Sequence, residues 1–169
     1  MMNSLPYIPL DEEFSLNIGI LAIILENLSK NRNGNAVLDI DKAQFFMYLM
    51  KNPAKIEKVM LFLGKKIPVI DEKETHTIKS LSNNVDILFD NKKIKTILKT
   101  MAIRGLLDVE RYEEKSYLKL SGTGEDFARS LNGDFFVSIR NYSESLGSLK
   151  SLPSSKLYKI LNEVFMEAE

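Results

Sequence analysis

With 169 residues, 44% of them hydrophobic, the chain can bury a real core as one compact domain or two very small ones, which excludes a disordered protein. Lysine and arginine total 23 and so do aspartate and glutamate, so no overall field draws the protein to nucleic acid or membrane, and any such affinity must come from a local patch. Cysteine is absent, which excludes a disulfide framework, a thiolate nucleophile and cysteine-ligated zinc.

Residues 1–12 read as an extended arm, because Pro6 and Pro9 prevent helix while Tyr7, Ile8 and Leu10 offer apolar side chains. No signal peptide is visible there, and the most apolar run, Ile18 to Leu25, is far shorter than the roughly 20 residues a membrane span needs. The expectation is a soluble cytoplasmic protein. Phe14 to Arg32 reads as a helix whose face, Leu16, Ile20, Ile23, Ile24 and Leu28, is widened by Leu21 and Leu25. So broad a face predicts central packing, with an oligomer seam as the alternative.

Asn31 to Asn35 supplies a turn, Ala36 to Ile40 a short strand, and Asp39 or Asp41 a cap for a helix over Lys42 to Lys51. Asn52-Pro53 ends that helix and starts another, through Ile56, Val59, Met60 and Leu63 to Gly64. Lys65 to Thr77 is a charged excursion. Taken as a first wing it would make the chain a tandem of two winged helices, a reading that Pro68 weakens.

The stretch from Asp86 to Leu131 is the most informative. A short apolar-periodic segment with Val85, Leu88 and Phe89 breaks at Asp90-Asn91. In the run Lys92 to Arg104, Ile94, Ile97, Leu98 and Met101 then recur at i, i+3, i+4 and i+7, and Gly105 is placed to end the helix in the left-handed conformation. A hairpin follows, with Leu107, Val109, Tyr117 and Leu120 expected inside and a polar tip at Glu113, Glu114 and Lys115. Helix, turn, helix, hairpin, helix is the order of a winged helix.

Beyond it, Gly124 to Leu131 reads as a helix capped by Ser121 or Thr123, with Phe127 and Leu131 inward. Asp134 to Lys150 reads as another, through Phe135, Ile139, Tyr142, Leu146 and Leu149, and Pro153 opens a last one through Leu157, Ile160, Leu161, Val164 and Phe165. The predicted fold is mainly α (α+β), a winged helix with additional helices. Its parts are an arm at 1–12, a core at 13–132 (13–80 and 81–132 if tandem) and C-terminal helices at 133–169.

The search for chemistry finds little. Gly122-Thr123-Gly124 lacks the third glycine and the preceding buried strand of a dinucleotide fingerprint, and no phosphate-binding loop is present. The one histidine, His76, sits near Glu72 and Glu74 without a second nitrogen ligand, so a solvated loop is the better reading than a metal site. No enzyme, cofactor or metal is expected.

The basic residues say more. Lys92, Lys93, Lys95, Lys99 and Arg104 lie in a run without acids, and Lys92, Lys95 and Lys99 share an arc opposite the apolar face. Together with Arg104 they are the candidate contacts for a partner or for DNA. The hairpin is acidic through Asp108, Glu110, Glu113 and Glu114 against Arg111 and Lys115, which disfavours a wing laid on phosphate and makes Glu110, Arg111, Glu113 and Glu114 candidate partner contacts. A second positive stretch, Lys51 to Lys66, leaves nonspecific DNA contact open.

Three stretches carry a resemblance. They are Leu38-Asp39-Ile40-Asp41-Lys42-Ala43-Gln44-Phe45-Phe46-Met47-Tyr48-Leu49 with Lys51-Asn52-Pro53, the segment Ile78 to Asp90, and Gly105-Leu106-Leu107 with Leu118-Lys119-Leu120-Ser121-Gly122-Thr123-Gly124-Glu125. Over about residues 10 to 140 the chain resembles a middle component of bacterial ABC three-component defence systems, the group that includes the small subunit of Lamassu-type anti-phage systems. Ser121 stands where that pattern more usually has threonine. The resemblance implies a non-catalytic subunit between an SMC-like or ABC-type ATPase and an effector, often a nuclease, with DNA sensed by the ATPase. The alternative is a winged-helix DNA-binding transcriptional regulator.

Overall fold

The computed structural model describes residues 14–75 and 91–166. The predicted arm, His76, the segment with Val85, Leu88 and Phe89, and the second stretch of the resemblance lie outside the described residues. The fold is mainly α with one small antiparallel sheet, in the order α1 (Phe14–Leu28), α2 (Ile40–Lys51), α3 (Pro53–Phe62), α4 (Glu72–Thr75), α5 (Lys92–Ile103), β1 (Leu107–Tyr112), β2 (Lys115–Leu120), α6 (Gly122–Ser130), α7 (Asp134–Ser145) and α8 (Ser154–Met166).

Helix α1 is the axis. Every residue from Asn17 to Leu25 is buried, so the helix is enclosed on nearly all sides rather than along one stripe. The helices α2, α5, α6 and α7 and strand β2 all pack against it. Gly19 is the point of closest approach on α7, since a Cβ there would meet the Phe136 ring at 2.8 Å. The helix stops at Leu28, short of the predicted Arg32. Asn31 turns the chain by accepting from the amides of Asn33 and Asn35 through its Oδ1, at 2.9 and 3.0 Å.

The predicted strand at 36–40 is reduced to an isolated bridge between Lys30 and Ala36, and one hydrogen bond from the Leu118 amide to the Leu38 carbonyl, 2.7 Å. The chain turns helical at Ile40, two residues earlier than expected, because Asp39 is the cap and its Oδ1 accepts from the Lys42 amide at 2.9 Å. Pro53 opens α3 as predicted. Residues 65–71 run without regular structure into the single turn of α4.

The C-terminal helices wrap the same core. The run expected as one helix to Lys150 is α7 followed by a 3₁₀ turn, Leu146–Leu149, which turns Leu146 and Leu149 inward. Phe135 is 42% exposed, and the inward aromatic is its neighbour Phe136, partly buried against the core. Arg140 ties α7 to two other helices, with Nη1 2.8 Å from Glu26 of α1 and Nη2 donating to the Ala128 carbonyl of α6 at 3.0 Å. Helix α8 packs on α2 and α3, its Leu157, Leu161 and Phe165 buried, so the predicted C-terminal stripe is spent on the core.

Two lysines are buried here, and composition gave no sign of either. Lys42 Nζ donates to the carbonyls of Val37 (2.9 Å) and Lys150 (3.0 Å), pinning the C-terminal segment to the first half of the chain. Lys55, 1% exposed, sits with Nζ 4.6 Å from the centre of the Phe165 ring. Burial holds both ammonium groups below the ordinary lysine pKa of 10.5, with nearby Asp39 opposing the shift at Lys42.

Candidate functional site

Helix α5 and the hairpin behind it form one rigid corner. Ile94, Ile97, Leu98 and Met101 of α5 are buried as the sequence requires. The helix ends at Gly105, φ +70°, where the amides of Leu106 and Gly105 return to the carbonyls of Met101 (2.9 Å) and Ala102 (3.0 Å), the paired bonds of a Schellman cap. Leu106 then plugs into the core and its carbonyl receives the Ser121 amide at 3.1 Å, closing the base of the hairpin.

Ser121 caps α6, its Oγ accepting from the Gly124 amide at 3.0 Å while its hydroxyl donates to the Gly105 carbonyl. This selects Ser121 over Thr123 and starts α6 at Gly122, two residues earlier than expected. Gly124 is required by space. A Cβ there would lie 2.0 Å from the Leu106 carbonyl oxygen.

The register runs from Leu107 opposite Leu120 to Tyr112 opposite Lys115. Alternation therefore places Leu107, Val109, Leu118 and Leu120 on one side and Asp108, Glu110, Tyr117 and Lys119 on the other. Tyr117 thus sits opposite Glu110, not on the inner side where the sequence reading put it. Leu118, 3% exposed, takes the inner place. Val109 is on the inner side and pairs with Leu118, yet it is 52% exposed, because β2 rather than β1 carries the packing against α1 and α2.

The predicted contact residues separate into two surfaces. The first is the outer side of α5, where Lys92, Lys93, Lys95, Thr96 and Lys99 are all exposed, and Arg104 is exposed just beyond the helix. None of the ion pairs found among the described residues engages Lys93, Lys95, Lys99 or Arg104. Thr96 and Thr100 each donate their hydroxyl to the carbonyl four residues back, Lys92 and Thr96, both at 3.0 Å. Their donor protons are thereby committed to the helix.

The second surface is the hairpin with the last turn of α5. It combines the exposed Ile103 (77%) with both sides of the hairpin, Val109 and Arg111 on the inner side, Tyr112 (64%) and Glu110 on the outer side, and with Glu113 and Glu114 at the tip. Glu110 is engaged across the strands by Lys119 at 3.1 Å. Sequence reasoning found the charges and missed the apolar half, although Ile103 already fell outside the buried spacing of α5.

Elsewhere the surface offers less. A cleft of about 300 Å³ between α1 and α6 is lined by Glu26, Lys30, Glu125 and Arg129, but these charges are engaged in ion pairs, Glu125 with Arg129 at 3.2 Å and with Lys30 at 3.9 Å, Glu26 with Arg140 at 2.8 Å. Among the described residues no three histidine, aspartate or glutamate side chains gather where they could hold a metal ion, and no helix is long and apolar enough to cross a membrane.

What remains is a packed scaffold with two chemically different faces at one corner, an arrangement suited to holding other molecules together. Comparison with protein families gives a match to ABC-three component (ABC-3C) system Middle Component 4 over residues 28–159. The chain belongs to this family. The match runs from the end of α1 into α8 and so includes both surfaces and the helices that support them. A middle component of a multi-subunit system implies partner subunits. Comparisons with curated proteins and with solved structures gave no match.

Proposed function

We propose that this ABC-3C middle component is a non-catalytic accessory subunit that links an SMC-like or ABC-type ATPase to an effector in a cytoplasmic, Lamassu-like anti-phage complex. The observation that carries the reading is the family match across 28–159, which spans the hairpin surface. Ile103, Val109 and Tyr112 are apolar side chains exposed among the charges of Glu110, Arg111, Glu113 and Glu114 at the hairpin and the turn before it, the mixture that protein interfaces use, and we assign them to the ATPase or effector. Tyr112 is the natural anchor, being large, stiff and amphipathic.

The corner is read as a winged helix. Leu38, bonded to Leu118, takes the place of the first strand between α1 and α2, and α5 is the helix before the wing. A single core cluster runs from Ile18 of α1 to Phe165 of α8, which favours one unit over 13–132 with the C-terminal helices laid on it, rather than a tandem. A sequence-reading regulator is disfavoured because the hydroxyls of Thr96 and Thr100 are turned onto the helix backbone.

The test is affinity purification of the tagged chain expressed with its native neighbouring genes, with mass spectrometry and sizing of the eluate. A large ATPase in a defined ratio, lost in Tyr112→Ala, is the expected result. Recovery of the chain alone as a homodimer that protects one palindromic sequence would replace this reading with the regulator.

A further inference from the structure

We infer that the outer side of α5 is a contact for the phosphate backbone of duplex DNA, made without base reading and with the hairpin held clear of the duplex. The inference rests on this surface alone and does not depend on which subunits the protein joins.

Three observations lead to it. Over its first two turns the exposed residues of α5 are Lys92, Lys93, Lys95, Thr96 and Lys99, with no acid and no apolar side chain among them. A protein interface draws on exposed apolar side chains, which this face lacks and the hairpin offers in Val109 and Tyr112, so the ligand here is one held by charge density alone. Lys92, Lys95 and Lys99 follow one arc that rises about 10 Å from first to last, a span that covers two adjacent phosphates of a strand. Finally, Thr96 and Thr100 have spent their hydroxyl protons on the helix, so the face can grip a backbone but donates little to a base edge.

The hairpin sets the pose. In the usual winged-helix arrangement the wing also meets the nucleic acid, yet here Glu113 and Glu114 form the exposed tip and Glu110 stands on the outer side of β1. Like charge repels that tip from phosphate, so the duplex lies across the first half of α5 and leaves Ile103, Val109 and Tyr112 open to a protein. One corner can then hold DNA and a partner subunit together.

The test uses the full chain and a fluorescent 30-base-pair duplex of random sequence, read by anisotropy. Neutralising about two phosphates predicts a salt slope near −1.8, so affinity falls roughly tenfold between 50 and 200 mM salt. Two unrelated duplex sequences should bind within about twofold of each other. The combined Lys92→Glu, Lys95→Glu, Lys99→Glu variant should lose binding at least tenfold while its helical circular dichroism is unchanged.

A control reverses the same number of charges elsewhere, Arg32→Glu, Lys73→Glu and Lys156→Glu, all exposed and outside both α5 and the Lys51 to Lys66 stretch, and should retain binding within about threefold. The inference is overturned if the wild-type chain fails to bind at 50 mM salt, or if both triple variants lose binding equally. It is also overturned if one duplex sequence is strongly preferred, or if polyglutamate competes as well as DNA at equal charge, which would assign the face to an acidic protein. None of these outcomes bears on whether an ATPase co-purifies.

Discussion

Helices α1 and α5 differ by only three residues in length, 15 against 12, yet they meet their surroundings in opposite ways. From Asn17 to Leu25 α1 has no exposed residue, so each of its side chains answers to packing. Helix α5 buries Ile94, Ile97, Leu98 and Met101 and leaves the other side to solvent, where packing dictates nothing. A lysine row without acids on that free side, next to an acidic hairpin, is therefore chemistry that the fold does not require. The enclosed helix positions the corner, and the half-exposed one carries what can be recognised.

The largest test of this division is Leu25→Ala in α1, expected to cost about 4 kcal/mol because the cavity is surrounded on every side, against less than about 0.5 kcal/mol for Ile103→Ala on the exposed turn of α5. Urea unfolding midpoints at constant m-value provide the measurement. Equal costs at the two positions would mean that the hairpin side is covered in the folded chain. Next in size is Gly124→Ala, expected to cost about 2–3 kcal/mol, since the added methyl would press on the Leu106 carbonyl, a backbone atom that cannot swing aside. Gly122→Ala, two residues earlier with nothing within 4 Å, should be neutral or slightly stabilising. A Gly124→Ala variant as stable as wild type would show that the junction between hairpin and α6 yields.

The legible parts of the sequence were those governed by local rules. The period of Ile94, Ile97, Leu98 and Met101, the left-handed Gly105 and Pro53 at a helix start each report on a few neighbouring residues and each is found where expected, while the cap of α6 is the first of the two offered, Ser121. Errors arose where tertiary contacts decide. Whether Val109 is covered depends on which strand of the hairpin packs against α1 and α2, and the side taken by Tyr117 depends on a register set by the two-residue turn. Phe135 and Phe136 are adjacent and equally apolar, so nothing local says which faces inward. Lys42 and Lys55 look like surface lysines until Lys150 and Phe165 are placed against them. The candidate contacts on α5 were all legible as charges, but that the surfaces are two rather than one was not.

Alkaline pH probes the enclosed body alone. Tyr48 and Tyr158 are both pushed up to about 12 from 10, chiefly by burial, with Asp41 and Asp39 adding to the shift at Tyr158. Between those values the unfolded chain releases phenolic protons that the folded chain keeps, so stability falls with pH, by at most about 1.4 kcal/mol per pH unit for each tyrosine. Lys42 and Lys55, held below 10.5, act in the opposite sense, adding stability as pH rises towards that value. Urea midpoints from pH 9 to 12 should therefore decline above pH 10. The decline should be shallower in Tyr158→Phe, which at neutral pH loses the hydrogen bond to the Asp41 carbonyl. An unchanged slope in that variant would show that Tyr158 ionises as readily in the folded chain as in the unfolded one.

The smallest expected effect sharpens the contrast from the other side. Glu113 and Glu114 are the two residues of the hairpin turn and both take positive φ, 46° and 64°, a conformation that costs a side chain with a Cβ about 1 kcal/mol and that Asn-Gly adopts with far less strain. Replacing the pair by Asn-Gly should raise stability by about 1 kcal/mol. If the tip is part of the protein-docking surface, the same change should lower recovery of the partner ATPase, because it removes two charges from that surface. Greater stability with weaker assembly would separate a local cost from the function it serves. Greater stability with unchanged assembly would confine docking to Ile103, Val109 and Tyr112 and leave the acidic tip with one role, keeping phosphate away from the hairpin.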